Sequence, residues 1–213
     1  MKTKQEIDAI IAQLKELYPD ALCSLQYEKD YELLFAVRLS AQCTDARVNL
    51  VTPALFARFP TLESFAQADV EEVGTYVHST GFWRAKARDL VASAQMLLER
   101  YGGKVPGRME DLLQLPGVGR KTANLILGDI YGTDGYVCDT HCIRITGRLG
   151  ITDGSKDPLK VERQLRAAIP ASEASDFCHR MVLHGRALCM ARKPQCGQCP
   201  LQSLCDYGKE QEK

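Results

Sequence analysis

Hydrophobic residues recur at three- and four-residue intervals along most of the chain. Ile7, Ile10, Ile11, Leu14 and Leu17 form one such stripe, the pattern of an amphipathic helix resting on a core. Leu33, Leu34, Phe35, Val37 and Leu39 are too dense for a stripe and predict a helix buried on most sides. Residues 85–101 predict a long helix that turns Leu90, Val91, Ala94, Leu97 and Leu98 inward. Gly102-Gly103 stops it, because glycine adopts the left-handed conformation that closes a helix. Further helices are predicted near 44–58, 110–115, 120–131, 140–149, 157–169 and 173–190. Period-two alternation, which a half-buried strand requires, is absent beyond trivial lengths. The pattern predicts an all-α protein.

Composition narrows the picture. The 213 residues suffice for one large domain or two small ones, and 45% hydrophobic with 25% charged residues excludes a disordered chain. No apolar run approaches the roughly 18 residues of a membrane span. Met1-Lys2-Thr3-Lys4-Gln5-Glu6 lacks the apolar core and cleavage site of a secretory signal, so a cytoplasmic protein is expected, nucleoid-associated if bacterial. No repeat, low-complexity segment or long linker interrupts the chain, and the one tail is the polar stretch 209–213.

Net charge is +0, from 27 basic and 27 acidic residues, and this argues mildly against nucleic-acid binding. Its distribution argues the other way. Residues 59–83 hold Glu63, Asp69, Glu71 and Glu72 with no Lys or Arg. Residues 177–205 hold Arg180, Arg186, Arg192 and Lys193 with no Asp or Glu. A neutral total can hide a basic face.

Nine cysteines are too few for a disulfide scaffold of this length, and the number is odd. Cys189, Cys196, Cys199 and Cys205 fall within 17 residues, spaced Cys-x6-Cys-x2-Cys-x5-Cys. Zinc sites generally use two close pairs, and only Cys196 and Cys199 form one here. Four thiolates on a compact loop suit an iron–sulfur cluster better. Such a centre can transfer electrons or staple a small lobe, and Arg192-Lys193 on its first loop can face phosphates. Cys23, Cys43, Cys138, Cys142 and Cys178 are expected to be core thiols.

Leu115-Pro116-Gly117-Val118-Gly119-Arg120-Lys121 separates a short helix from the pattern 122–131. Two glycines one residue apart permit a tight hairpin. The amides that open the next helix favour an anion, so a helix–hairpin–helix of this form can hold a phosphate without reading sequence. Lys121 falls in the first helical turn, where the dipole disfavours a second positive charge. It is either a nucleophilic amine or a phosphate-contacting lysine. Asp139 precedes the helical run 142–149, and either caps that helix or also stabilises a developing positive charge.

Taken together and in this order, several segments resemble the endonuclease III family of base-excision repair DNA glycosylases. They are Leu39-Ser40-Ala41-Gln42-Cys43-Thr44-Asp45, residues 115–124, Asp139-Thr140-His141, Leu183-His184-Gly185-Arg186 and the cysteine loop, and the resemblance covers nearly the whole chain. It implies two α-helical lobes with a DNA-binding cleft between them. One would be a six-helix barrel over 23–135, with the helix–hairpin–helix near 110–131. The other, 1–22 plus 136–213, would hold a four-iron–four-sulfur ([4Fe-4S]) cluster on Cys189, Cys196, Cys199 and Cys205. The implied activity of the monomer is removal of oxidised pyrimidines, followed by nicking of the abasic strand. Its partner would be double-stranded DNA carrying a damaged base or an abasic site.

The resemblance also implies roles for single residues. Lys121 matches the Schiff-base nucleophile and Asp139 the catalytic carboxylate. Gln42 matches the residue that fills the space of the flipped base, and Phe82 stands where relatives carry an intercalating leucine. The hairpin residues Gly117, Gly119 and Arg120, with Arg192 and Lys193, would contact DNA. Ser40, Asp45 and His141 match residues around the lesion pocket. Cys43 stands where alanine is common, and Phe82 is bulkier than leucine, so Phe82 is either a DNA wedge or a core aromatic beside Trp83. Two alternatives are a monofunctional adenine or mismatch glycosylase and a non-catalytic DNA-binding redox sensor. Adenine glycosylases lack the hairpin lysine and carry a further C-terminal domain, and a sensor needs neither Lys121 nor Asp139.

Overall fold

The computed structural model describes residues 2–133 and 135–210, so the tail predicted over 209–213 lies outside the described residues from 211 onward. Among the described residues there are α-helices, short 3-10 turns and no strands. Helix α1 (Lys4–Leu17) starts at Thr3, whose hydroxyl accepts from the Glu6 N–H while the Glu6 carboxylate accepts from the Thr3 N–H. It buries Ile7, Ile10, Ile11 and Leu14 of the stripe read from the sequence, and Leu17 at its end is half-buried. The chain divides into two compact units, Cys23–Tyr131 and the paired segments Met1–Leu22 and Gly132–Lys213.

The unit Cys23–Tyr131 carries α2 (Asp30–Ser40), α3 (Asp45–Arg58), α4 (Leu62–Ala66), α5 (Val70–Val77), α6 (Trp83–Tyr101), α7 (Met109–Leu112) and α8 (Arg120–Asp129). Helix α2 buries Leu33, Leu34, Phe35, Ala36, Val37 and Leu39, as its dense apolar run requires. Phe65 of α4 lies edge-on to Phe35, with centroids 4.9 Å apart, and 5.2 Å from Phe59, which builds an aromatic centre for this core. Helix α6 packs against α4 and α5 and ends at Gly102, whose φ of 59° lies in the left-handed region.

Helices α4 and α5 occupy the acidic stretch for which periodicity predicts no helix. They are short and capped, α4 by the Thr61 hydroxyl and α5 by the Asp69 carboxylate, which accepts from the Glu71 and Glu72 N–H groups. Their acidic residues sit at helix starts, where the dipole favours negative charge. The stretch 110–115 is shorter than expected. Leu112 ends α7, and Gln114 and Leu115 donate three residues back to Asp111 and Leu112 in tighter turns.

The other unit adds α9 (Thr140–Leu149), α10 (Pro158–Ala168), α11 (Ala174–Ala187) and α12 (Asp206–Glu210) to α1. Helix α11 packs against α1 and α9, and Ile145, Leu149, Phe177 and Met181 are buried. It stops before 190 because the Leu188 and Cys189 N–H groups both turn to the His184 carbonyl. Cys138, Cys142 and Cys178 are buried together, and hydrogen bonding from both neighbours, with burial, pushes the Cys142 thiol well up. Cys23 and Cys43 are half-buried at the edge of their core, not inside it, although burial still pushes the Cys23 thiol up to about 12. Arg180 is not part of a basic face. It is buried, donating to the Tyr18 carbonyl at 3.2 Å and to Asp176 at 3.2 Å.

Candidate active site

The hairpin between α7 and α8 is built around two glycines with different duties. Gly117 has φ 71°, and a Cβ there would lie 2.3 Å from Arg38 Nε and 2.4 Å from Asp89 Oδ2. Those two side chains form an ion pair behind the hairpin, at 2.6 Å from Arg38 Nη2 to Asp89 Oδ2. The Ser93 hydroxyl holds the Pro116 carbonyl at 3.1 Å. Gly119 has ordinary extended backbone, φ −98° and ψ 175°, with open space where a Cβ would stand. It precedes α8 without a side-chain cap, and the first helical bond runs from the Ala123 N–H to the Gly119 carbonyl. The start of α8 thus leaves backbone N–H groups facing outward beside the exposed Arg120 and Lys121, a cradle for an anion.

Two further exposed residues of this unit stand in the left-handed region. Gln42 has φ 54° in the turn between α2 and α3, and Phe82 has φ 48° just before α6. Phe82 is 70% exposed, which overturns the core-aromatic reading. Trp83 is the ring that packs inward. It lies 5.4 Å from the His78 ring and so close to Gly74 that a Cβ there would stand 2.3 Å from it. Exposed Arg84 stacks its guanidinium 4.2 Å over Trp83, and Arg88 is exposed one turn later. Neither arginine stood out in the sequence, where α6 read as a packing helix. Their one-turn spacing directly after Phe82 was the available signal. Ser40 donates back to the Val37 carbonyl at 2.9 Å, and Asp45 accepts from the Ser24 hydroxyl at 2.6 Å.

In the unit of Met1–Leu22 and Gly132–Lys213, Asp139 caps α9, its Oδ1 accepting from the Cys142 N–H at 2.7 Å. It is half-buried, and the bond fixes the carboxylate at the mouth of the helix. His141 sits two residues on, its Nδ1 3.1 Å from Arg144 Nη2. A side chain at Gly185 would displace it, since a Cβ there would stand 2.4 Å from that nitrogen. Arg144 donates to the Cys189 carbonyl at 3.0 Å, and Arg148 donates to the Met190 and Ala191 carbonyls at 2.8 and 3.1 Å. The helix that carries Asp139 therefore clasps the first cysteine loop.

Cys189, Cys196, Cys199 and Cys205 line one cavity with Arg148, His184, Leu201 and Tyr207. Among the described residues no group of three His, Cys, Asp or Glu side chains is placed to close on a single ion. Thiols around a shared space suit a multinuclear cluster, which spreads its ligands. Burial and the neighbouring thiols push Cys199 and Cys205 up, so four thiolates there require a compensating metal charge. Donors already face the sulfurs: Arg148 Nη1 reaches Cys189 Sγ at 3.3 Å and the Gly208 N–H reaches Cys205 Sγ at 3.3 Å. His184 Nε2 lies 3.5 Å from Cys199 Sγ, and burial lowers its pKa to about 4. The donor set fits a four-iron–four-sulfur cluster, whose bonds to the four thiolates would hold the loop in place. Arg192 and Lys193, with φ 54° at Lys193, stand exposed on that loop, as does Arg186 at the end of α11.

The comparisons with known proteins agree with this arrangement. Residues 35–171 match the HhH-GPD superfamily base excision DNA repair protein family, and residues 189–205 match the iron-sulfur binding domain of endonuclease III. The chain is 48% identical to endonuclease III of Synechocystis sp. over 95% of its length and 92% of that protein. It is 38% identical to endonuclease III of Bacillus subtilis over 100% and 97% of the two chains. Its fold matches a trapped endonuclease III–DNA covalent intermediate, an estranged-adenine complex, at TM-score 0.91, with 41% identity and complete coverage of both chains. A thermostable thymine-DNA glycosylase shares the fold alone, at TM-score 0.84 and 19% identity. The chain belongs to the endonuclease III family of iron–sulfur base-excision repair glycosylases.

Proposed function

We propose that this protein excises oxidised pyrimidines from double-stranded DNA and then cleaves the abasic strand, with Lys121 as nucleophile and Asp139 as the carboxylate that assists it. The observation that carries this reading is an exposed lysine in the first turn of an uncapped helix, beside a hairpin shaped to hold a phosphate. A phosphate bound there positions the strand without reading its sequence, and damage is read on the extruded base.

In its neutral form the Lys121 amine attacks C1′ of the flipped nucleotide. The Nζ–C1′ bond forms as the glycosidic bond breaks, and its electron pair leaves on the base, which takes up a proton. Opening of the sugar gives a protonated Schiff base. Loss of a C2′ proton then expels the 3′ phosphate with the C3′–O electrons, and water releases the lysine. Asp139 stabilises the positively charged sugar and takes part in moving the proton around the amine. Gln42 fills the vacated place and bonds to the orphaned base, and Phe82 wedges into the stack. Gly117, Gly119 and Arg120 hold one phosphate. Arg192 and Lys193 hold others, and the exposed Arg84 and Arg88 add to them. Ser40, Asp45 and His141 are the residues proposed to recognise the extruded base. The place of action is wherever the cell keeps DNA, the cytoplasm and its nucleoid in a bacterium. No helix among the described residues is long and apolar enough to cross a membrane.

The test is product analysis on a duplex carrying one thymine glycol. Free damaged base and a strand ending in a 3′ unsaturated aldehyde are expected. Base release with an intact abasic strand would remove the lyase half, and no release would remove the glycosylase reading.

A further inference from the structure

We propose that Lys86 is a positioning residue that holds the Gln42 and Phe82 turns in register, so that one buried ammonium sets both side chains that must act when a base leaves the duplex. This rests on the glycosylase reading above. Lys86 is 1% exposed, on the first turns of α6. Its Nζ donates to the Leu39 carbonyl at 2.8 Å and to the Thr80 carbonyl at 2.7 Å. Leu39 lies in the last turn of α2, three residues before Gln42, and Thr80 lies two residues before Phe82. The two carbonyls are 41 residues apart in the chain and meet on one charge.

A lysine is almost never this deeply buried unless its charge is used, and burial lowers its pKa. A core position on α6 would otherwise take an apolar residue, as Leu90, Ala94 and Leu97 do. Both turns need an external hold. Gln42 and Phe82 are non-glycine residues in a conformation that disfavours side chains, and Gly81 before Phe82 is also left-handed, at φ 74°. Such backbone persists only where its surroundings over-determine it. Charge-assisted bonds to the carbonyls just ahead of each turn supply that hold, because Nζ can donate three hydrogens with little directional demand. Arg38 and Cys43 are the charged or titratable groups whose electrostatics reach Nζ from α2 and its following turn.

The test uses Lys86→Met in the intact, cluster-loaded protein on two versions of one duplex, one with thymine glycol and one with a preformed abasic site. Only the first has a base to unstack, while both require Lys121. Base release should fall by about tenfold to a hundredfold, the factor that loss of a hydrogen bond to a charged group corresponds to, with nicking of the abasic duplex within about threefold of wild type. A 2-aminopurine beside the lesion should lose its fluorescence rise by the same proportion. If the Met variant does not fold, Lys86→Gln keeps two N–H donors on a shorter arm and should show the same split at smaller amplitude. Equal loss on both duplexes, or no loss on either, in whichever variant folds, would overturn the proposal by showing a role in stability alone or none. Wild-type protein inactive on both duplexes would instead overturn the glycosylase reading beneath it.

Discussion

Replacing each hairpin glycine by alanine should give two different kinds of failure. At Gly117 the alanine must hold φ near 71°, which costs about 1–2 kcal/mol for a side chain in the left-handed region. Its methyl would also stand 2.3 Å from Arg38 Nε and 2.4 Å from Asp89 Oδ2, far inside contact distance, and neither side chain can swing clear without opening the 2.6 Å ion pair between them. Loss of those charge-assisted bonds adds about 1.5–3 kcal/mol, so Gly117→Ala should cost about 2.5–5 kcal/mol. For a chain of this size that is a fall in Tm of roughly 5 °C or more. At Gly119 the backbone is already extended and nothing lies within 4 Å. The entropic gain of Gly→Ala is about 0.4–1 kcal/mol, and alanine's poorer N-capping offsets it, so stability should stay within about 0.5 kcal/mol of wild type. That methyl instead enters the space where a phosphate would meet the start of α8. Gly119→Ala should therefore weaken duplex binding, which must be compared at fixed ionic strength. Thermal denaturation and a binding titration on both variants decide it. Equal destabilisation by the two, or full DNA affinity in Gly119→Ala, would refute the division of labour.

Three other substitutions extend the account. Asp139→Asn keeps an oxygen for the Cys142 N–H, so it should melt near wild type while base release falls about 10²–10³-fold, and wild-type turnover in single-turnover kinetics would reduce Asp139 to a cap. Phe82→Gly should relieve left-handed strain of about 1–2 kcal/mol and leave Tm unchanged or raised, yet slow base release from duplex DNA; a large fall in Tm would contradict its exposed position. Arg192→Ala should flatten the slope of log affinity against log salt by about 0.9, and an unchanged slope would take Arg192 off the phosphates.

Much of this arrangement is written in local pattern. The stripe from Ile7 to Leu14 and the glycine stop at Gly102 are fixed by residues within a turn or two, so periodicity finds them. The cysteine spacing and the Pro116-to-Lys121 hairpin are equally local. Helices α4 and α5 escaped because five to eight residues are too few for a period, and their caps at Thr61 and Asp69 are the signal that remains. Phe82 could not be told from a core aromatic, because its neighbour Trp83 carries the same chemistry and only the backbone sign at φ 48° separates them. Arg180 counts as basic surface in any charge tally until the Tyr18 carbonyl, 162 residues away in sequence, is seen to take its hydrogen bond. Lys86 is the same case: its partners Leu39 and Thr80 are backbone atoms, which no side-chain motif records.

The central claim is that Lys121 itself attacks the sugar. Sodium borohydride added during turnover on thymine glycol duplex should reduce the Schiff base and leave a permanent protein–DNA adduct, which peptide mapping should place on Lys121. Lys121→Gln should give no adduct while still binding the duplex. An adduct on another amine, or one that persists in Lys121→Gln, would contradict the account.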